Sequence, residues 1–308
     1  KTPKSENPLL LGGSASHAAV AASFFAKTQL MGVVGGDFPT KYVRLFEKHG
    51  VCLKGLDRVK DGRTFHWSGE YEVNMNNRRT VETVLGVIEH WQPALPAAYE
   101  STPYVLLANI SPSVQHRVLD QISKAKFVIA DTMDLWLNIA LPEVLTLLKR
   151  IDCLVLNDSE ARQLVSDDNV VSALTKIHRM GPKYVIIKKG EHGSILSGPK
   201  GLFIAPAYPL RKVVDPTGAG DSFVGGLIGY LALTDEVRER EGKAPKSVWS
   251  HVFRLRTMIY TVLWSAVGIA LVVALFLRTE IDVNVTPVRN PQFVVLKDGS
   301  IRNTYELR

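Results

Sequence analysis

Five short apolar runs in the first two thirds of the chain do most to constrain its fold. They cover residues 30–35, 104–109, 126–131, 153–157 and 184–189. Such continuous runs of Val, Ile and Leu are typical of strands buried on both faces of a parallel sheet. Helix-like segments lie between them, at 16–27, 39–49, 113–123, 142–149 and 159–165. Strands that alternate with helices predict a layered α/β domain with a mainly parallel sheet.

Residues 64–89 follow a different pattern. Apolar and polar side chains alternate on either side of a turn at 74–77, as they do in a half-buried hairpin. We therefore expect a small antiparallel lid outside the main sheet. A homodimer formed through this lid is one further expectation.

Charge and cysteine content exclude several kinds of site. The net charge is +7, but the Lys and Arg residues are scattered and form no basic stripe with interleaved aromatics, so no nucleic-acid partner is predicted. The two cysteines, Cys52 and Cys153, form no CxxC pair. The chain alone therefore cannot build a cysteine zinc site or an iron–sulfur cluster.

The segment with the clearest chemical meaning is VVDPTGAGDSFVGG, residues 213–226. Gly218, Ala219 and Gly220 open a predicted helix. Small residues let a ligand approach the backbone, and the first helical N–H groups point at it with the positive end of the helix dipole. Asp221 lies in the first turn, where a carboxylate can accept a proton from an attacking hydroxyl. A simple helix cap with a Gly-rich turn is the alternative.

DPTGAGDSF resembles the C-terminal signature of the PfkB (ribokinase-like) carbohydrate kinase family. Four other segments resemble that family in the same order: 9–23, 32–51, 156–164 and 187–194. The resemblance thus covers residues 9–233. It implies a Rossmann-like αβα layered kinase core with a small β lid. The implied activity is ATP-dependent phosphoryl transfer to a hydroxyl of a small-molecule sugar or nucleoside.

The resemblance also implies catalytic and metal-binding roles. Asp221 would be the base, and the N–H groups of Gly218, Ala219 and Gly220 would form the anion hole. Asn157 and Glu160 would organise Mg²⁺ and its waters, since this cation prefers oxygen ligands. A carboxylate in the first turn of a helix, favoured by the dipole, is the alternative for Glu160.

Two further sets of residues follow from the resemblance. Those implied to bind ATP are Lys189, Gly190, Gly193, Asp215 and Thr217. Those implied to bind the acceptor are Gly12, Gly13 and His17, the last standing where many family members have Asn. A plain hairpin turn also accounts for the glycines at 190 and 193. Asn109 and Asp131, at strand ends, are weaker site candidates for which strand-end capping is the alternative.

The chain changes character after residue 233. Residues 234–257 resemble a charged linker or a solvated helix, and residues 258–277 contain no charged side chain. Twenty such residues predict a transmembrane helix. Basic residues before it predict that the kinase part is cytoplasmic and the C-terminal end periplasmic, in a bacterial inner membrane.

Residues 236–308 resemble a second family, the FixG-type cytochrome c oxidase accessory proteins. The resemblance covers their last membrane span and the start of a periplasmic Ig-like domain, so residues 278–308 are expected to be a partial β fragment. The Asp298-Gly299 pair predicts a hairpin turn there.

Three hypotheses remain open. The first is a carbohydrate kinase formed by residues 1–233; the resemblance implies an opening strand before Lys1 and helices after the Asp221 helix, so a truncated and inactive domain is one expectation. The second is a membrane-bound cytochrome oxidase assembly protein. The third is a non-functional fusion of two truncated genes, in which case a cytoplasmic location is expected.

Overall fold

Two units make up the chain, Lys1–Gly242 and Lys243–Arg308. The structure is a computed structural model, and it describes residues 10–72, 78–241, 255–277, 285–287, 293–302 and 305–307. All residues implied to form the kinase site lie in the first unit and within these ranges.

A six-stranded sheet forms the centre of the first unit. Its strands are β5 (Tyr104–Leu107), β6 (Phe127–Asp131), β7 (Cys153–Asn157), β8 (Tyr184–Lys188), β9 (Ser194–Gly198) and β10 (Gly201–Ala205), in the order β10-β9-β8-β7-β6-β5. Strands β5 to β8 are parallel, whereas β9 and β10 continue the sheet antiparallel. Four of the five predicted buried strands are therefore found in a mainly parallel sheet.

Helices cover both faces of this sheet, as predicted for an α/β domain. Because successive side chains of a strand point to opposite faces, Leu154 and Leu156 face one layer, whereas Val155 faces the other. The first layer contains α3 (Pro112–Gln121), α4 (Asp134–Ile139), α5 (Leu141–Leu148), α6 (Asp158–Val165) and α7 (Val170–His178). The second contains α8 (Ala219–Glu241), whose Val224 and Ile228 pack on the sheet.

A close helix–helix contact joins α1 (Ser14–Ser23) to α8. A Cβ on Gly225 would lie 2.2 Å from the carbonyl oxygen of Ala18, and a Cβ on Gly229 would lie 2.8 Å from that of Ala22. Only glycine leaves room for the two backbones at these points. The contact places the start of α1 next to the start of α8.

The N-terminal strand β1 (Gln29–Gly35) does not belong to the six-stranded sheet. It pairs in parallel with β2 (Cys52–Val59), and α2 (Thr40–Lys48) connects the two. The apolar run at 30–35 predicted a strand correctly but could not identify its partner. Consecutive strands joined by one helix most often lie side by side, and this is the arrangement found.

The predicted lid is present as an antiparallel pair, β3 (His66–Tyr71) and β4 (Arg78–Val84). An ion pair between Arg79 and Glu70, at 2.7 Å, links the two strands. The turn predicted at 74–77 lies outside the described residues. The homodimer through this lid remains a prediction.

The described residues of the second unit form α9 (Leu255–Phe276) and four short strands: β11 (Val285–Pro287), β12 (Val294–Val295), β13 (Ile301–Arg302) and β14 (Tyr305–Leu307). β11 pairs with β14 and β12 with β13, both antiparallel. The turn between β12 and β13 contains Gly299 with φ +82, at the hairpin predicted from Asp298-Gly299.

The prediction of a transmembrane helix at 258–277 is wrong. Within the part of the chain that the structure describes, no helix combines the length and the apolar character needed to cross a membrane. Lack of charge over twenty residues predicted a helix, and α9 is that helix. The absence of charge is not sufficient to predict a membrane span, because one helix must combine sufficient length with sufficient apolar character.

Two further predictions depended on that span and are wrong for the same reason. One is the location in a bacterial inner membrane, with the chain crossing from cytoplasm to periplasm. The other is the membrane as a partner through residues 258–277. The predicted linker at 234–257 is also helical at its start, because α8 continues to Glu241; residues 242–254 lie outside the described residues.

Candidate functional site

Three polar side chains end adjacent strands at one edge of the sheet. Asp131 ends β6, Asn157 ends β7 and Lys188 ends β8. Asn157 lies directly opposite Lys188 in the β7–β8 ladder, and Asp131 lies opposite Val155 in the β6–β7 ladder. This is the carboxyl edge of the parallel strands, where open α/β sheets bind their ligands.

A lysine–aspartate pair occupies this edge. The Nζ of Lys188 donates to both carboxylate oxygens of Asp131, at 3.3 and 3.4 Å. Burial raises the pKa of Asp131; the Lys188 charge opposes this shift, and the nearby Asp221 charge adds to it. The pKa of Asp131 therefore depends on both the Lys188 ammonium and the Asp221 carboxylate, which is predicted to act as the base.

The loop before α8 comes close to this pair. Gly218 has φ +75, a conformation that favours glycine, and the Thr217 N–H donates to Asp215 Oδ1 at 2.9 Å. The Ala219 N–H donates to the Pro216 carbonyl at 3.1 Å, so of the three amides predicted for the anion hole this one is already bonded. A Cβ on Gly220 would lie 3.2 Å from Lys188 Nζ.

The start of α1 borders the same loop. The His17 ring packs on Gly218 so closely that a Cβ there would lie 2.4 Å from the ring. Among the described residues, the buried His17 Nε2 has no hydrogen-bond partner. Gly13 caps α1 with φ +91, and both Gly12 and Gly13 are exposed. These predicted acceptor-binding residues therefore lie beside the predicted anion hole.

The lid also contacts the loop. Thr217 Oγ1 donates to the Tyr71 hydroxyl at 3.2 Å. Tyr71 is the last residue of β3, so the contact joins the end of this lid strand to the loop before α8. Predicted nucleotide contacts of Asp215 and Thr217 would occur where lid and core meet.

Asn157 and Glu160 are engaged in a capping box at the start of α6. Asn157 Oδ1 accepts from the Glu160 N–H at 2.8 Å and from the Ser159 hydroxyl at 2.6 Å. Glu160 Oε2 accepts from the Asn157 N–H at 2.7 Å. The helix-start alternative for Glu160 is thus present in the structure, and it does not exclude a second role.

These oxygens do not form a dedicated metal cage. Across the described residues, no group of three or more His, Cys, Asp or Glu side chains could hold a metal ion. Mg²⁺ usually keeps several waters and binds one or two carboxylates together with substrate phosphates. Asn157 and Glu160 supply oxygen atoms of the kind that Mg²⁺ prefers, but too few to hold the ion without further ligands from water or phosphates.

Lys189, Gly190 and Gly193 form the turn after β8. The Lys189 N–H donates to the Gly193 carbonyl at 2.7 Å, and Gly193 has φ +86 with the Ala205 carbonyl oxygen 2.0 Å from where a Cβ would be. The turn itself requires this glycine. Asn109 is likewise used structurally, since its Oδ1 accepts from Trp136 Nε1 at 2.9 Å.

The structure brings together His17, Asp131 and the 218–221 motif, which lie on three separate segments of the sequence. The site residue that sequence reasoning missed is Lys188. The resemblance of residues 187–194 to the family implied Lys189 and the glycines of the turn, and it did not single out Lys188. Counting side-chain alternation from the buried Ile187 would have placed the Lys188 side chain on the opposite face from its neighbour.

Two family models match the chain. Residues 8–240 match the pfkB family carbohydrate kinase model, and residues 271–308 match the Ig-like fold at the C-terminus of FixG, a putative oxidoreductase. Both resemblances seen in the sequence are thereby confirmed.

Individual relatives divide in the same way. Protein RdxB of Cereibacter sphaeroides is 74% identical over 83 residues, 27% of this chain and 17% of that protein. The cytidine kinase of Thermococcus kodakarensis is 28% identical over 237 residues, 74% of this chain and 83% of that protein.

A solved ribokinase shares the fold of the first unit. The structure of Arabidopsis thaliana ribokinase complexed with ribose and ATP has a TM-score of 0.58 at 25% sequence identity, covering 76% of each chain. The chain spans less than a fifth of RdxB but most of the kinases that it matches. With the family model matching 8–240 and the fold and carboxyl-edge site in agreement, this chain belongs to the pfkB family of carbohydrate kinases.

Proposed function

We propose that the first unit transfers the γ-phosphoryl group of ATP to a hydroxyl group of a nucleoside or sugar. The observation that carries this proposal is the position of Asp221. It lies in the first turn of α8, close enough to the carboxyl edge for its charge to act on Asp131. A carboxylate, a helix N-terminus and a lysine thus meet at one point of the sheet edge.

The proposed chemistry is a single displacement. The Asp221 carboxylate accepts the proton of the acceptor hydroxyl, while the oxygen of that hydroxyl forms a bond to the γ-phosphorus. The bond from that phosphorus to the bridging oxygen breaks, and ADP leaves with the electron pair. The amides at Gly218 and Gly220 would stabilise charge on the transferred group, as preorganised donors do in phosphoryl transfer.

ATP and Mg²⁺ are the proposed cofactors. ATP is the nucleotide in the solved Arabidopsis thaliana ribokinase complex. Bound magnesium would offset the charge of the phosphates, with Glu160 and Asn157 holding its waters. Lys189, Gly190, Gly193, Asp215 and Thr217 are the proposed contacts to the nucleotide.

The acceptor site is proposed between the start of α1 and the lid. Gly12 and Gly13 leave the backbone open to a ligand, and His17 Nε2 is a buried polar atom without a partner among the described residues. Such an atom costs stability unless something bonds it, and an acceptor hydroxyl would do so. Since the cytidine kinase aligns with 74% of this chain, nucleosides are the first acceptors to test.

For the second unit we propose no separate activity. The FixG family model matches only residues 271–308. The hypothesis of a membrane-bound assembly protein depended on a membrane span, and the described part of the chain contains no helix that could form one. Recovery of one transcript spanning codons 225–260 would show that the two parts are a natural fusion.

The base assignment is tested by changing Asp221→Asn in the full chain. We expect kcat for nucleoside-dependent ADP release to fall by roughly 10²–10⁴-fold, the usual contribution of a general base. ATP binding, measured by calorimetry, should change little because the amides remain. Glu143→Gln removes a carboxylate from the first turn of another helix and should leave both quantities unchanged. Turnover that survives Asp221→Asn would refute the assignment.

A further inference from the structure

A lysine at the end of β8 occupies the space in front of the α8 N-terminus. Lys188 lies 3.2 Å by its Nζ from the position that a Cβ on Gly220 would take. Gly220 thus has no side chain at the point where the ammonium group packs. Because the amides of the first helical turn have no partner within the helix, the ammonium and these amides face a common space.

Asp131 fixes the direction of this ammonium group. Its two oxygens accept from Nζ at 3.3 and 3.4 Å, and the pair is well covered, with 20% of the lysine side chain and 8% of the aspartate side chain exposed. A lysine ammonium carries three N–H donors. Two bonds to Asp131 leave one N–H that could donate to a bound ligand.

The donors that an incoming anion would meet at this point are the remaining Lys188 N–H and the amides at the start of α8. The other charged groups here are the carboxylates of Asp131, already paired with Lys188, and Asp221. The helix dipole adds partial positive charge at the same place. A phosphoryl group bound there would meet a full positive charge and the helix amides together.

We propose that Lys188 binds the phosphoryl group being transferred and that Asp131 is the positioning residue that aims it. This inference rests on the proposed kinase function and deepens it. It assigns the phosphate contact to the last residue of β8, whereas the neighbouring Lys189 lies in the turn that follows.

The test compares ATP with ADP, because only ATP carries the group that Lys188 would contact. We expect Lys188→Met in the full chain to weaken ATP binding by about 10- to 100-fold, the range of a hydrogen bond to a charged group. ADP binding should stay within about twofold of wild type. Lys183→Met, at the exposed residue just before β8, is the matched control and should leave both nucleotide affinities unchanged.

A second variant separates the effect on nucleotide binding from the effect on stability. Lys188→Met alone leaves Asp131 buried without its partner, so it is compared with the double variant Asp131→Asn/Lys188→Met, in which neither position is charged. The double variant should unfold near the wild-type temperature and still lose the preference for ATP.

Each remaining outcome decides a different claim. Equal weakening of ATP and ADP, or unchanged ATP binding in the double variant, would overturn the Lys188 contact and leave the kinase proposal intact. If the wild-type chain binds neither nucleotide, the proposed function fails and this inference fails with it.

Discussion

The two ends of strand β6 carry the same chemistry in different surroundings. At its carboxyl end, Asp131 pairs with Lys188, and only 8% and 20% of the two side chains are exposed. Just before its amino end, Lys126 pairs with Asp235 and Glu239 at 3.3 and 2.6 Å, where 53% of the lysine side chain is exposed.

Helix α8 supplies a partner at both ends. Its first turn, with Gly220 and Asp221, lies at the carboxyl end of β6, and its residues Asp235 and Glu239 reach Lys126 at the other. The helix therefore runs antiparallel to the strand. Exposed ion pairs contribute little to stability, whereas a covered pair is costly to break. The covered pair lies at the proposed site and the exposed pair does not.

The largest expected effect comes from removing the lysine at each end in turn. Lys188→Met should lower the free energy of unfolding by about 3 kcal/mol, because it leaves the Asp131 carboxylate covered and unpaired. Lys126→Met should be hard to distinguish from wild type, since water replaces the lysine at Asp235 and Glu239. Urea denaturation of both variants at pH 7 measures the difference.

The salt dependence sharpens the same comparison. Raising the salt concentration screens exposed pairs much more than covered ones. The small effect of Lys126→Met should therefore vanish in high salt, while that of Lys188→Met persists. Equal losses at the two ends would show that burial does not separate these pairs.

A smaller effect is expected when α8, which runs between the two ends of β6, is displaced from α1. Gly225→Ala would place a Cβ 2.2 Å from the backbone oxygen of Ala18, and backbone cannot move aside as a flexible side chain can. We expect a net loss of about 2 kcal/mol, since overpacking costs outweigh the gain in helix propensity. Thermal unfolding and denaturant titration measure it.

The adjacent glycine is the matched control. A Cβ on Gly226 would meet only Phe25, at 3.8 Å, an ordinary contact. Gly226→Ala should therefore stabilise the chain by up to about 1 kcal/mol. If Gly225→Ala also stabilises, α1 does not pack on α8 as described.

The sequence predicted the elements of the fold better than their partners. Runs of Val, Ile and Leu identify buried strands because burial is a property of the run itself. Pairing is not: β1 was predicted as a strand but pairs with β2 outside the main sheet. The charge-free run at 258–277 likewise predicted a helix and wrongly a membrane span.

The same limit applies to the candidate site, where the sequence predicts the segments but not which of them become neighbours. Gly218, Gly220 and Asp221 form one contiguous motif, so the sequence could place them together. Lys188 and Asp131 are 57 residues apart, and only the sheet register makes them neighbours. The family resemblance implied Lys189, whereas Lys188 becomes a neighbour of Asp131 only through the folded sheet, in which adjacent strand residues point to opposite faces.

The smallest effect concerns the exposed end of β6 at high pH. Burial, and then the hydrogen bond to Asp235, raise the pKa of Tyr104 to about 12 in the folded chain from an ordinary value of 10.0. A raised folded pKa means that the stabilisation is fully present below pH 10 and is lost as the pH rises towards 12. The stability advantage of wild type over Tyr104→Phe should therefore shrink between pH 10 and pH 12.

The expected decrease is about 1 kcal/mol or less, because solvent screens this half-buried group, and denaturation at fixed ionic strength measures it. Tyr208→Phe, at a tyrosine that is 84% exposed, is the control and should differ from wild type by a constant amount. A difference for Tyr104→Phe that does not change with pH would mean that neither burial nor the Asp235 contact raises the pKa of Tyr104 in solution. The packing of α8 at this end would then depend on the exposed Lys126 pairs alone.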